Sequence, residues 1–299
     1  VFEALAFTND GRYMEKNDIS VGITAFIDIL GFGNKVLAAE SIDDIKKIHK
    51  GVKLIQDAFD FKTDDDLTRE VQEMHKTTVL AFSDCVIVNI PLESDATKYE
   101  GTFDPIMSEI TSFAYGQGIC CLNSLFIRGG LDLGWWYQKE ATLISQSMVN
   151  AYKSEGAVSF PVIALTDRVY DYFSTHSHRK YYSDDFDPIP RVFRELKINE
   201  KKHIYIDYMT ICLEGVGWHR SKAQLDEYRL ASPEDKDRIM NEGYRQNIDE
   251  WLKTHSENIK HAHAEANENG VKSKYEWLAN YHNEIANNFT RNQDCQCII

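Results

Sequence analysis

The run Ala25-Phe26-Ile27-Asp28-Ile29-Leu30-Gly31-Phe32-Gly33 constrains this chain more than any other. A β-type apolar segment, Ile19 to Asp28, ends in one carboxylate, and two glycines then turn the chain into an amphipathic stretch. A second carboxylate, Asp84, lies in Ala81-Phe82-Ser83-Asp84-Cys85-Val86-Ile87-Val88, between two further apolar runs. Thr77 to Pro91 is too long for one average strand, and Ser83-Asp84 offers turn chemistry near its middle. It reads as a hairpin with Asp84 at the tip; the alternative is a continuous strand with Asp84 turned to solvent. Two acids at strand ends, beside a loop whose glycines admit close backbone approach, suit divalent cations and phosphate. The bland alternative is a pair of capping aspartates.

After the glycine turn, Ile45, Ile48, Val52, Ile55 and Phe59 recur at three- and four-residue steps and predict a helix. Ile106, Ile110, Phe113 and Ala114 predict a second helix that stops at Gly116 or Gly118. Ser124 to Tyr137 is a further β segment, and glycines inside a strand mark close approach of a backbone or ligand. Ser147 to Glu155 reads as a short helix, Val162 to Leu165 as a strand, and Ile204 to Tyr208 as one more. Asp184 to Pro190 reads as an acidic, proline-bearing linker. Helices alternating with an antiparallel-containing sheet predict an α+β sandwich of ferredoxin-like type. Beyond Gly217, Ile248, Trp251, Leu252 and Ile259, then Leu278, His282, Ile285 and Phe289, keep helical spacing. The expected division is an arm at 1–18, a core at 19–215 and a helical extension at 216–299 that packs on the core or a partner subunit.

The formal charge of −14 argues against a general nucleic-acid surface, although metal ions can carry positive charge to a nucleotide locally. No stretch is apolar and long enough to span a bilayer, and Val1 to Asp10 lacks the regions of a secretory signal. The six cysteines form no pair of CxxC elements and read as thiols of a reducing cytoplasm. His176 and His178, like His261 and His263, are spaced by two and read as solvated side chains. Asp64-Asp65-Asp66 reads as a solvated loop.

The runs Phe26 to Phe32, Phe82 to Val86 and Arg128-x-Gly130-x-x-x-Gly134, followed by Val149-Asn150-Ala151-Tyr152-Lys153-Ser154-Glu155, resemble the motifs of class III nucleotide cyclases. With Lys274-Tyr275-Glu276-Trp277-Leu278-Ala279, the whole pattern is most similar to the bacterial antiphage pyrimidine cyclases called Pycsar cyclases. The resemblance implies two divalent cations, Mn2+ or Mg2+, held by Asp28, the Ile29 carbonyl and Asp84. It implies polyphosphate on the backbone of Leu30, Gly31, Phe32 and Gly33, with Asn150 orienting the ribose. In the broader family an arginine stands four residues after that asparagine; here the position is Ser154, and Lys153 or Arg128 competes to replace it. A structural salt bridge is the other reading of Arg128. An apolar residue near Leu80, where purine cyclases read the base, favours a pyrimidine, UTP ahead of CTP. Gln146, Ser147 and Tyr152 are candidates for the base pocket. The family also implies a homodimer with active sites at the interface, and a cyclic product read by a separate defence effector. Purine cyclases and a silent nucleotide-binding module remain the alternatives.

Overall fold

The computed structural model describes residues 19–60, 70, 73–140 and 142–299. The expected arm at 1–18 and the Asp64–Asp66 run lie outside the described residues. In chain order the strands are β1 (Ile19–Ile29), the hairpin β2 (Thr78–Phe82) and β3 (Cys85–Pro91), β4 (Ile127–Lys139), β5 (Thr142–Ser145), β6 (Ile163–Leu165), β7 (Phe193–Ile198) and β8 (Lys201–Ile206). The helices are α1 (Phe32–Leu37), α2 (Ile42–Asp60), α3 (Asp95–Glu100), α4 (Phe103–Leu122), α5 (Gln146–Val158), α6 (Asp167–Ser174) and α7 (Pro188–Val192). Four more complete the described chain: α8 (Tyr208–Gly217), α9 (Lys222–Leu230), α10 (Pro233–Glu265) and α11 (Asn269–Phe289).

One eight-stranded sheet runs β2-β3-β1-β4-β6-β8-β7, with β5 added beside β4. β1 is antiparallel to both β3 and β4, so the first four strands carry the ferredoxin-like order 2-3-1-4, and the α+β expectation holds. The period of two along β1 decides what each side chain meets. Ile23, Ala25, Ile27 and Ile29 are buried in the hydrophobic core, each contributing by apolar area removed from water, about 1.5–3 kcal/mol for a fully buried Ile. Thr24, Phe26 and Asp28 point to the opposite face, where α5 lies. Gly130 makes that docking possible, because a Cβ there would sit 2.0 Å from the Ala151 carbonyl oxygen.

The helix over α2 forms, but only its C-terminal half is buried: Ile55 and Phe59 are core, while Ile45 is exposed. α4 does not stop at its glycines and continues to Leu122. Gly116 and Gly118 instead let the helix sit against Phe59 and Cys212, so they serve packing rather than termination. The expected linker at Asp184–Pro190 folds into a 3-10 turn and α7, where Asp187 caps Pro188 onward, and it leads into β7, a strand the sequence pattern does not announce. Asp207 and Tyr208 leave the last strand to cap and open α8. α10 and α11 bury Trp251, Leu252, Ile259, Leu278 and Ile285. They meet the core through Tyr275 against Phe126 and Trp277 stacked on Phe160. No described helix is long and apolar enough to cross a membrane.

Candidate active site

Asp28 lies one residue from the end of β1, and Asp84 sits in the two-residue turn of the β2–β3 hairpin, as the sequence predicts. Ser83 enters that turn at φ +56°, a strained value for a residue with a Cβ, so the tip is held by its flanking strands. The β1–β3 register ends at Ile27 opposite Val86, which places Asp84 close enough for its charge to act on Asp28. Burial first, then Asp84, raises the Asp28 carboxyl above its ordinary value, against the lowering pull of Arg128. The same burial and the same two acids push the neighbouring Cys85 thiol up to about 11.

Arg128 stands directly opposite Asp28 on β4. It donates Nε to Oδ1 at 3.0 Å and Nη2 to Oδ2 at 3.1 Å, the bidentate geometry of a strong ion pair. Glu155, from α5, meets the same guanidinium, yet its Oε1 lacks hydrogen-bond alignment with any donor. Burial, then Asp28, raises Glu155 as well. Two carboxylates thus share one arginine. A fourth charge reaches them from the C-terminal helices: Lys274 of α11 lowers both acids, while burial and the Arg128 charge lower Lys274 itself.

Beyond Asp28 the chain turns at Gly31, whose φ of +74° lies in the left-handed region. The Leu30 N–H donates to the Phe126 carbonyl at 2.9 Å, so Leu30 is removed from the expected phosphate cradle: its donor is already spent holding the loop to the core. Phe32 and Gly33 open α1, where first-turn N–H groups have no intrahelical acceptor. A cavity of about 370 Å³ adjoins Ile29 and Phe32 between α1 and α2, but neither acid lines it and its walls are mostly apolar.

Whether this end fits a divalent cation can be judged from its donors. Among the described residues, no group of three or more His, Cys, Asp or Glu side chains converges as a metal cage. Mg2+ needs no such cage, since it is commonly held by one or two carboxylates together with water and substrate phosphates. Asp28 and Asp84, close enough for the Asp84 charge to raise Asp28, are a donor set of that kind. The guanidinium that now fills both Asp28 oxygens confirms that the position accepts positive charge.

Asn150 and Lys153 lie elsewhere. Both line a second cavity, of about 380 Å³, on the β6–β8 side of α5. Asn150 donates Nδ2 to Asp132 Oδ2 at 3.0 Å, and the other Asp132 oxygen accepts from Thr166 at 2.7 Å. Arg168, Lys201 and Lys202 join Lys153 around this space, and neither Asp28 nor Asp84 reaches it. One chain therefore carries two separated groups, an acidic one and a basic one. Arg128, grouped with Asn150 in the sequence reading, belongs spatially to the acids. Ser147 is fully buried between Thr24 and Ser145, which withdraws it from any base pocket. Tyr152 is exposed and packs on Phe26.

Sequence reasoning missed Glu155, Asp132, Arg168, Lys201, Lys202 and Lys274 as parts of these groups. For Glu155 and Asp132 a signal existed: both fall inside motifs already singled out, and Gly130 marked the close approach of α5. Nothing local marks Arg168 or the β8 lysines.

No family model matches the chain, and no curated protein matches it in sequence. Among solved structures it is similar to the adenylyl cyclase CyaB from P. aeruginosa, at 13% identity over 63% of this chain and 93% of that one, with a TM-score of 0.41. It is also similar to the monomeric guanylyl cyclase domain of the RhoGC fusion protein from the aquatic fungus Blastocladiella emersonii, at 13% identity over 63% and 96%, TM-score 0.40. A class III adenylyl cyclase-like ATP-binding protein from Pseudomonas aeruginosa aligns at 15% identity over 55% and 38%, TM-score 0.35. At such values the functional reading rests on the residues of the site.

Proposed function

We propose that this chain is a nucleotide cyclase that works as a homodimer and converts UTP to 3',5'-cyclic UMP and pyrophosphate. The observation that carries the reading is the separation of two incomplete groups. Arg128, the guanidinium in contact with Asp28, is held between Asp28 and Glu155, while the cation-rich cavity around Asn150 and Lys153 contains neither Asp28 nor Asp84. A second copy facing the first would bring the acids of one chain to the basic cavity of the other, giving two equivalent sites.

In the reaction, the 3'-oxygen forms a bond to the α-phosphorus, the bond from that phosphorus to the bridging oxygen breaks, pyrophosphate leaves, and the hydroxyl proton is lost. Asp28, Asp84 and the Ile29 carbonyl would hold Mn2+ or Mg2+, whose chemistry when bound is to lower the hydroxyl's pKa and neutralise the leaving phosphates. Phe32 and Gly33 would present backbone N–H groups to the polyphosphate. Asn150, fixed by Asp132, would present its amide oxygen to the ribose. Arg128 must release Asp28 for the acid to take a cation, and Glu155 is placed to keep the guanidinium when it does.

Choice of a pyrimidine is supported by the apolar Leu80 on β2, paired with Ile87, and by the sequence resemblance; CTP is the alternative base. A product read by a separate antiphage effector, and residence in the cytoplasm, belong to the same proposal. A second reading, a module that binds nucleotide without turnover, is favoured by the saturation of Asp28 by Arg128. Incubation of the full chain with UTP, CTP, ATP and GTP in turn, with Mn2+, separates these. Cyclic UMP or cyclic CMP with stoichiometric pyrophosphate supports the proposal. Product from ATP or GTP alone removes the pyrimidine part, and nucleotide binding without product leaves the silent module.

A further inference from the structure

Four cations, Lys153, Arg168, Lys201 and Lys202, surround the cavity beside Asn150, against two carboxylates, Asp132 and Asp167. In a chain of net charge −14 this is a local inversion of sign, and it suits an anion. The four are not equivalent. Lys202 is paired with Glu195 on the neighbouring strand, and Lys153 is an exposed side chain. Arg168 is the one guanidinium among them and, though about half-exposed, it is tied to β4. Its Nη1 donates to the Leu133 carbonyl at 2.7 Å and lies 3.6 Å from Asp132 Oδ2.

Asp132 is the hinge of this arrangement. It is 1% exposed, and its two oxygens take Thr166, Asn150 and the Arg168 charge, so its own charge is compensated inside the fold. The same buried carboxylate therefore sets the orientation of Asn150 and the position of Arg168. A guanidinium has five donors in a fixed fork, and with Nη1 committed the remainder can meet phosphate oxygens side by side. Lysine offers a single point charge.

We infer that Arg168 is the catalytic cation of the basic cavity, contacting the phosphates of the nucleoside triphosphate and stabilising charge as it develops on them. The inference rests on the cyclase reading above. It places on α6 the function that neither Ser154 nor the exposed Lys153 supplies, and it releases Arg128 from that role.

The test uses steady-state kinetics on the full chain with the nucleotide it turns over. Arg168→Ala is expected to lower kcat by about 10²–10³-fold, the loss typical of removing one donor to a developing oxyanion. Arg168→Gln, which retains a donor for the Leu133 carbonyl, is expected to lose a similar factor because it lacks the charge, and it serves if the alanine variant does not fold. Pyrophosphate inhibition should weaken at least about tenfold in both, a readout that a purely structural role would leave unmoved. Placing an arginine on the α5 wall of the same cavity, in Ser154→Arg combined with Arg168→Ala, should recover part of kcat. If the wild type cyclises and Arg168→Gln keeps kcat and pyrophosphate inhibition within about twofold, the inference is overturned and the cyclase reading stands. If the wild type makes no cyclic nucleotide from any of the four triphosphates, both are overturned together.

Discussion

In the helical layer Tyr208, His255 and His282 form a chain in which every donor has an acceptor, whereas across the sheet Arg128 is divided between two acids and one Glu155 oxygen is left without a hydrogen bond. All of the first cluster is fully buried. The Cys295 carbonyl accepts from His282 Nε2, so His282 Nδ1 is bare and accepts from His255 Nδ1–H. His255 Nε2 is then bare and accepts the Tyr208 hydroxyl. A single set of tautomers satisfies the chain with both rings neutral, and the rings stack with Trp251. The second cluster holds net negative charge behind a partly exposed guanidinium, which is costly unless something external completes it. Closed polar networks specify a fold, and open ones mark where a ligand is awaited.

That contrast can be broken by substitution. Asp84→Ala, or Asp28→Asn, should reduce turnover by about 10²–10⁴-fold, the several kcal/mol expected of a metal-assisted displacement at about 1.4 kcal/mol per tenfold. Initial rates at saturating Mn2+ check this; near-normal rates in either variant would remove that acid from the site. Single His255→Leu or His282→Leu should leave kcat at low temperature within about twofold while destabilising the fold by about 1–3 kcal/mol, since each strands a buried polar partner. Urea unfolding measures the loss, and the double variant should cost less than the sum of the singles.

The two clusters also respond to pH with opposite sign. Burial holds His255 and His282 below their ordinary 6.5, so the unfolded chain binds protons that the folded chain refuses. Their contribution is complete above that value and is lost as pH falls below it. Asp28 and Glu155 are held above 3.8 and 4.5, so their folded forms are favoured below those values and this contribution disappears as pH rises. Stability should therefore fall between pH 7.5 and 5.5, and fall less in the double leucine variant. At neutral pH, where ionised Asp28 is a cost, Asp28→Asn should hold stability or raise it by about 0.5–1 kcal/mol even as it silences turnover.

The sequence made the front of the molecule readable and the back nearly opaque. β1, the β2–β3 hairpin and β4 follow from β-branched runs with turn residues between them, and the closeness of Asp28 and Asp84 follows from two acids that both end such runs. The helix α5 was legible from Asn150 and its neighbours, but not the fact that it divides the acids from the basic cavity. That depends on which side of one helix each residue occupies after docking on Gly130. β7 alternates weakly, Phe193 being its one buried residue, so its pattern resembles a loop. His255 and His282 sit on separate helices and read as ordinary helix positions; only packing brings their Nδ1 atoms within 2.8 Å. Arg168 is in the same position, since its meaning comes from Leu133 and Asp132 across the sheet.

The central claim is that one active site is assembled from two copies of the chain, and mixing two inactive variants tests it most directly. Asp84→Ala keeps the basic group and Asn150→Ala keeps the acids, so a mixed dimer regains one intact site. Co-refolded or subunit-exchanged, the two should recover about a quarter of wild-type specific activity, from one good site in half of the dimers. No recovery from a mixture that remains folded and dimeric would contradict the account.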